Sequence, residues 1–97
     1  MKESILEKQV VELCKRRGLL TYKFVSPANR GVPDRIITGC DRVLFLELKA
    51  KGRKPSGLQL REIARINMAQ TCSWSVTADW VDNYETAADT IQNFFFT

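Results

Sequence analysis

Two short apolar runs joined by a turn-rich tetrapeptide place the tightest constraint on the fold of this chain. Residues 35–38 and 43–46 are rich in β-forming side chains, and Gly39-Cys40-Asp41-Arg42 between them consists of residues that are common in turns. The pattern predicts a β-hairpin. If residues 39–42 form a four-residue loop, Thr38 pairs with Val43.

Counting outward from that pair brings two carboxylates, Asp34 and Glu47, opposite each other on one face. Lys49 joins the same face because side-chain direction alternates with period two. Two acids this close repel and raise each other's pKa unless a positive charge lies between them. Mg2+ or Mn2+ would supply that charge, with both carboxylates and the backbone carbonyl of Leu48 as oxygen ligands. The spacing therefore predicts metal-assisted phosphodiester hydrolysis, with Lys49 facing a phosphate oxygen or the attacking water.

A simpler interpretation of the same residues is a surface hairpin in which Lys49 pairs with one of the acids. The hairpin register, the Gly31-Val32-Pro33 segment before the first acid and the basic loop at residues 50–57 favour the metal site. Residues 43–48 are also apolar on both faces, which predicts a central, buried strand. Burying Glu47 at the end of such a strand without a ligand would be costly.

The order of these motifs resembles that of a known nuclease superfamily. Pro33-Asp34, followed after twelve residues by Glu47-Leu48-Lys49, resembles the PD-(D/E)xK nuclease signature. The resemblance extends from about residue 7 to residue 79. Three blocks are similar to the VRR-NUC domain, the virus-type replication-repair nuclease group: Asn29-Arg30-Gly31-Val32-Pro33-Asp34, Phe45-Leu46-Glu47-Leu48-Lys49-Ala50 and Ser56-Gly57-Leu58-Gln59.

This resemblance implies a Mg2+- or Mn2+-dependent endodeoxyribonuclease with Asp34, Glu47 and Lys49 as its catalytic centre. It also sets Gln59 near the lysine, where the amide would support the lysine or the phosphate. Ser56 and Gln59 additionally fit a helix-capping box. Both roles are compatible, since the start of a helix faces anions favourably.

The resemblance further assigns Glu7, on the first predicted helix, to the active site as a metal ligand or a water-mediated partner of the metal. The alternative is a capping box formed by residues 4–7, in which Glu7 only accepts a hydrogen bond from a helix-start amide. Glu3 and Glu12 are the substitutes if Glu7 has that structural role.

Periodicity predicts the element order αβββαβ followed by one more helix. The expected elements are a helix over residues 4–17, a strand over 19–25, the hairpin, a helix over 56–69, a strand over 72–77 and a terminal helix from Tyr84. The crossover into the fourth strand makes it parallel to the third. The same order is the core topology of the PD-(D/E)xK superfamily, an α/β, restriction-endonuclease-like fold with a mixed four-stranded sheet. The apolar stripe of the terminal helix either caps the sheet or extends into a dimer interface.

Composition narrows the chemistry. The chain of 97 residues, expected to form one domain over residues 1–97, contains no histidine, which excludes Ser-His-Asp hydrolysis, histidine-based nucleases and the usual zinc sites. Cys14, Cys40 and Cys72 lack the spacing of a disulfide framework or zinc site and suggest reduced thiols. We expect neither a signal peptide nor a membrane span. A cytoplasmic protein of a bacterium, or of a phage in its host cell, fits these features.

A net charge of +4, from fifteen basic and eleven acidic residues, favours an anionic partner. Lys51, Arg53 and Lys54 lie in the loop after the predicted catalytic strand and are candidates for DNA-backbone contacts. Arg30, before the first acid, is a further candidate. Charge runs of this kind also occur as solvated loops, and that interpretation stays open.

The predicted substrate is branched DNA. Free-standing members of this family resemble archaeal-type Holliday-junction resolvases, which act as homodimers, and a two-fold dimer matches the symmetry of a four-way junction. The alternatives are a nuclease for flaps, forks or nicked duplex, a non-catalytic nucleic-acid-binding module, and a protein-interaction domain. Junction resolution by a homodimer is the leading prediction.

Overall fold

A computed structural model describes residues 2–69 and 75–97, and there three helices flank one four-stranded sheet. In chain order the elements are α1 (Glu3–Arg16), β1 (Leu20–Lys23), β2 (Arg35–Gly39), β3 (Arg42–Leu48), α2 (Gly57–Met68), β4 (Ser75–Val81) and α3 (Tyr84–Phe95). The predicted α/β order αβββαβ with a further terminal helix is confirmed. No helix within the described ranges has the length and apolar character needed to cross a bilayer.

The sheet has the strand order β1-β2-β3-β4, with β3 in the interior. Its first two pairings are antiparallel, and β3 and β4 run parallel. Thr38 pairs with Val43 as predicted, but the hairpin loop is shorter than the four residues expected, because Gly39 also pairs with Arg42. The turn consists of Cys40 and Asp41, whose φ angles of 52° and 60° are those of a two-residue turn that follows the twist of the strands.

The hydrophobic core lies between one face of the sheet and the helices α1 and α3. Its buried members are Leu6, Val10, Leu13, Cys14, Leu19, Ile37, Leu44, Leu46, Leu48, Val81, Ala87, Ile91 and Phe95. Arg17 joins the two helices, since its guanidinium donates to Gln92 Oε1 at 2.8 Å and lies 4.0 Å from the centre of the Phe96 ring. The terminal helix therefore caps the sheet, one of its two predicted roles.

The opposite face of the sheet is covered by α2 on the side of β4. Ile63 is the buried apolar residue of that helix. The side chain of Asn67 forms two hydrogen bonds to the backbone of Ala78, at 2.9 and 2.7 Å, and so fixes α2 to β4. Leu60 and Ala64 are exposed, because the helix turns the stripe containing Ile63 toward the sheet.

Two strand boundaries also differ from those predicted. β1 covers Leu20–Lys23 and is shorter than residues 19–25. β4 runs to Val81, four residues beyond the predicted end, because its parallel pairing follows the whole length of β3. The first part of the predicted fourth strand, including Cys72, lies outside the described residues.

Candidate active site

The two carboxylates lie where the hairpin strands meet the loops that enter and leave them. Asp34 immediately precedes β2, and its carbonyl accepts a hydrogen bond from the backbone N–H of Phe24 at 2.7 Å. Glu47 is the penultimate residue of β3. The ladder between the strands ends at the pair Arg35–Leu46. One step further along this register brings Asp34 opposite Glu47, so both acids belong to one face.

Burial and mutual repulsion raise the pKa of both acids. Glu47 is 5% exposed, and its pKa rises to about 7, chiefly because burial disfavours the charged form and then because Asp34 is close. Lys49 offsets part of this rise, with its Nζ 3.7 Å from Glu47 Oε2. Burial also raises the pKa of Asp34, followed by the charge of Glu7. The charges of Lys23 and Arg35 lower the pKa of Asp34 in part, but burial and the neighbouring acid outweigh them.

Gln59 has two roles at this site. Its backbone N–H donates to the Ser56 hydroxyl at 3.1 Å, and its Oε1 accepts from the Ser56 N–H at 2.9 Å, which completes the capping box of α2. Its Nε2 donates to Glu47 Oε2 at 3.1 Å. The capping box therefore sets the rotamer that carries the amide to the carboxylate. The resemblance implied a place for Gln59 near Lys49, and the glutamine amide contacts the same Glu47 oxygen that the lysine ammonium approaches at 3.7 Å.

A hard cation fits these residues. Asp34 Oδ1 is buried and has no hydrogen-bond partner among the residues that the structure describes, although buried polar atoms are nearly always paired. Asp34 and Glu47 supply carboxylate oxygens, and Leu48 follows directly with its carbonyl, a donor set of the kind that Mg2+ and Mn2+ prefer. Within residues 2–69 and 75–97, no three His, Cys, Asp or Glu side chains gather closely enough to hold a metal ion. A third carboxylate ligand is thus not assembled there.

Glu7 lies near Asp34 but is engaged with an arginine. Its Oε2 accepts from Arg35 Nη2 at 3.2 Å, and Arg35 is only 7% exposed. The alternative capping-box role is wrong, because α1 begins at Glu3 with Lys2 as its N-cap and no side-chain cap. Of the two substitutes, Glu3 lies beside Lys49 in a shared cleft, whereas Glu12 lies beside Lys15 and Arg16.

Arg35 is a site residue that the sequence analysis missed. Its guanidinium also donates to Thr21 Oγ1 at 3.3 Å, so it joins α1, β1 and β2 behind the carboxylates. The sequence contained a signal for this role. Arg35 and Ile37 are two positions apart in one strand, so their side chains point to the same face, and Ile37 is fully buried there. A charged residue on the core side of a strand requires a partner, and Glu7 provides it.

The basic loop borders the candidate site through a cleft of about 540 Å³. The cleft is lined by Glu3, Lys49, Ala50, Gly52, Arg53 and Lys54. Lys51 points elsewhere, into a neighbouring cleft at the start of α3. Arg30 is exposed in the loop before Asp34 and is not among the residues that line either cleft. Two of the four predicted DNA-binding residues therefore lie next to Lys49.

Comparison with known proteins identifies one homologue and the fold. No protein-family model matches the chain. A protein of Acyrthosiphon pisum secondary endosymbiont phage 1, described as "Putative nuclease p44", is 45% identical over 67 residues, which are 68% of this chain and 72% of the phage protein. A solved structure described as "VRR_NUC domain" has a TM-score of 0.78 at 24% identity, covering 98% of this chain and 99% of that one. This chain belongs to the same family as the phage protein and has the fold of the VRR-NUC domain.

A second solved structure, described as "VRR_NUC domain protein", has a TM-score of 0.69 at 16% identity and covers 97% of this chain and 88% of its own. At these identities the structural matches speak for the fold. The blocks that carried the resemblance, at residues 29–34, 45–50 and 56–59, are the segments that enter and leave the candidate site. The three blocks that resemble the VRR-NUC domain therefore also lie close together in space.

Gly31, within the first VRR-NUC block, allows the loop before Asp34 to approach α2. Its φ is +86°, and an added Cβ would lie 2.8 Å from the carbonyl oxygen of Leu58. We expect Gly31→Ala to lower the free energy of unfolding by about 2 kcal/mol, through backbone strain and the displaced loop. Urea denaturation measures this. The control is Gly57→Ala, where a Cβ meets nothing within 4 Å and no loss is expected; equal losses in both variants would contradict the close-approach argument.

Asp82 anchors the basic loop from the far end of β4. The N–H of Gly52 donates to Asp82 Oδ2 at 3.1 Å, and the N–H of Arg53 closes the turn on the carbonyl of Ala50 at 2.9 Å. Gly52 has the positive φ, +82°, that such a turn requires. Hydrogen bonds from Asn83 and from Gly52 lower the pKa of Asp82, so it stays charged at neutral pH.

This anchor predicts opposite effects for two substitutions. We expect Asp82→Ala to weaken DNA binding about fivefold, because the loop carrying Arg53 loses its hydrogen bond. Asp82→Asn keeps an oxygen acceptor and removes a negative charge, so its affinity should be unchanged or higher. Fluorescence anisotropy with a labelled duplex measures both. Tighter binding in both variants would mean that the charge of Asp82 matters and its contact with Gly52 does not.

Proposed function

We propose that this protein is a metal-dependent endonuclease that hydrolyses phosphodiester bonds in DNA. The observation that carries the proposal is the buried pair Asp34 and Glu47. Burial and neighbouring acids raise the pKa of both, and among the described residues one carboxylate oxygen of the pair has no hydrogen-bond partner. The similarity to the phage protein described as "Putative nuclease p44" supports it. Two neighbouring carboxylates are costly to bury unless a cation compensates their charge.

Each residue of the candidate site would have a distinct role in hydrolysis. Asp34, Glu47 and the carbonyl of Leu48 would hold Mg2+ or Mn2+, with Glu7 as an outer partner behind Asp34. The bound ion would polarise the phosphate and lower the pKa of its water. Lys49 would orient the attacking water or balance the negative charge that develops on the phosphate.

Gln59 would position Glu47. Its Nε2 and the Lys49 ammonium both approach Glu47 Oε2, at 3.1 and 3.7 Å, which leaves Oε1 as the oxygen not engaged by these two groups. Because Gln59 is held by the capping box, the carboxylate has a fixed orientation before substrate binds. Such preorganisation is how a protein contributes to a reaction that metal and water perform.

The proposed substrate is branched DNA, with the four-way Holliday junction first and flaps, forks or nicked duplex as the alternatives. Arg53 and Lys54, beside Lys49 in one cleft, would follow the phosphate backbone on one side of the cut, and Lys51 and Arg30 would extend the contact. Backbone contacts read shape and not sequence. A homodimer would supply two such sites with the symmetry of a junction, in the cytoplasm of a bacterium or a phage-infected cell.

The test is incubation of purified protein with a mobile four-way junction, a flapped duplex and a linear duplex, in Mn2+, Mg2+ or EDTA. We expect metal-dependent cuts, fastest and symmetric on the junction, and a dimeric mass by light scattering. Faster cutting of the flap would select the alternative nuclease. Binding without cutting under every divalent ion would favour a non-catalytic DNA-binding module, and absence of DNA binding would favour a protein-interaction domain.

A further inference from the structure

A further cavity, of about 300 Å³, opens on the face of the sheet that α2 covers only in part. It lies between α2 and the segments that flank Asp34, and Phe24, Phe45, Val32, Asn29, Glu62 and Arg65 contribute to its wall. The proposed hydrolysis uses none of these residues. The volume is at the lower end of the range for small-ligand sites, about 300–1,000 Å³.

The distance from the cavity to Asp34 and Glu47 is about the length of one nucleotide. Phe45 is two residues before Glu47 on the same face of β3, a separation of about 7 Å. Along α2, Glu62 is three residues beyond Gln59, or about 4.5 Å of axial rise. On the remaining side, the backbone N–H of Phe24 is bonded to the carbonyl of Asp34. A group in the cavity would therefore be attached to a nucleotide next to the phosphate at the carboxylates.

The wall combines aromatic rings with polar groups, as a nucleobase requires. Phe24 and Phe45 are half-buried, with ring centres 5.6 Å apart and planes at 73°, so their rings are not stacked on each other. At the rim are the Asn29 amide, which is exposed, and the ion pair of Arg65 with Glu62 at 2.9 Å. Together these groups offer hydrogen-bond donors and acceptors to the edge of a base, and the ion pair adds no net charge.

We propose that this cavity binds one unpaired nucleobase of the DNA strand whose phosphate lies at Asp34 and Glu47. The inference rests on the proposed function and deepens it, because it supplies a reason for selecting branched DNA. A base in an intact duplex must be unpaired and unstacked to enter, and this cost is smallest for a base already unpaired at a branch. Stacking on an aromatic side chain offsets it with little dependence on base identity.

The matched pair of variants is Phe24→Leu and Tyr22→Leu. Both replace an aromatic residue at the same edge of the sheet, but Tyr22 is 59% exposed and does not line the cavity. We expect Phe24→Leu to reduce the preference for flapped over linear duplex about tenfold, mainly through a higher KM on the flap, and Tyr22→Leu to leave it unchanged. Asn29→Ala, at an exposed position, should give a smaller loss in the same direction without a risk to folding.

A fluorescence measurement separates this inference from the proposed function. 2-Aminopurine is placed in turn at each unpaired position beside the branch of a flapped duplex, and quenching by acrylamide is measured with bound protein in EDTA, where no cleavage is required. One position should become protected by the wild type and by Tyr22→Leu but not by Phe24→Leu. Equal quenching at every position, or equal protection by both variants, would overturn the cavity assignment. Protection without cleavage in any metal would overturn only the nuclease proposal.

Discussion

Replacing Glu47 by Gln, or Asp34 by Asn, is expected to reduce metal-dependent DNA cleavage on the order of 10³-fold or more while the protein stays folded. Each substitution preserves the shape of the side chain and removes one of the two charges that would hold the metal. The buried acids repel each other, so the neutral variants should also unfold at higher denaturant concentration than the wild type in EDTA. The measurements are single-turnover cleavage of a branched substrate and urea denaturation of the same preparations.

The control is Asp89, an exposed acid of α3. Asp89→Asn makes the same chemical change away from the site, so we expect cleavage within about twofold of the wild type. Strong cleavage by Glu47→Gln would remove that residue from the proposed metal site. Loss of cleavage together with loss of the folded state would contradict the expected gain in stability.

The stability of the metal-free protein should fall as the pH rises from about 4.5 to about 7. The folded-state pKa of Glu47 is about 7, above the ordinary value of 4.5, so the folded form binds a proton more tightly than the unfolded form. Stability from this group is complete below pH 4.5 and is lost as Glu47 ionises in the fold. The loss amounts to about 3 kcal/mol. Asp34, whose pKa is also raised, acts in the same direction.

Urea denaturation in EDTA at a series of pH values tests this, with Glu47→Gln as the reference. The remaining acids titrate in both proteins, so the difference between the two curves isolates Glu47. We expect the difference to be small at pH 4.5 and to favour the variant increasingly up to pH 7.5. A difference that does not change with pH would show that Glu47 has an ordinary pKa and that burial does not raise it.

The sequence predicted those features that depend on residues close together in the chain. Alternation of apolar residues identified the hairpin, and the Thr38–Val43 pair then determined that Asp34 faces Glu47. The Ser56-x-x-Gln59 spacing marked the start of α2 and the residue whose amide contacts Glu47. Local patterns suffice here because strand register and helix caps are set over only a few residues.

Tertiary structure alone decided the contacts that cross between elements. Glu7 and Arg35 are 28 positions apart and meet only because α1 packs behind the hairpin, so no local spacing reveals that the glutamate has a cation of its own. Asp82 and Gly52 are 30 positions apart and meet where β4 ends beside the basic loop. Local patterns in the sequence identify which acids form the site. The environment of these acids depends on how the elements pack, and local patterns do not predict that packing.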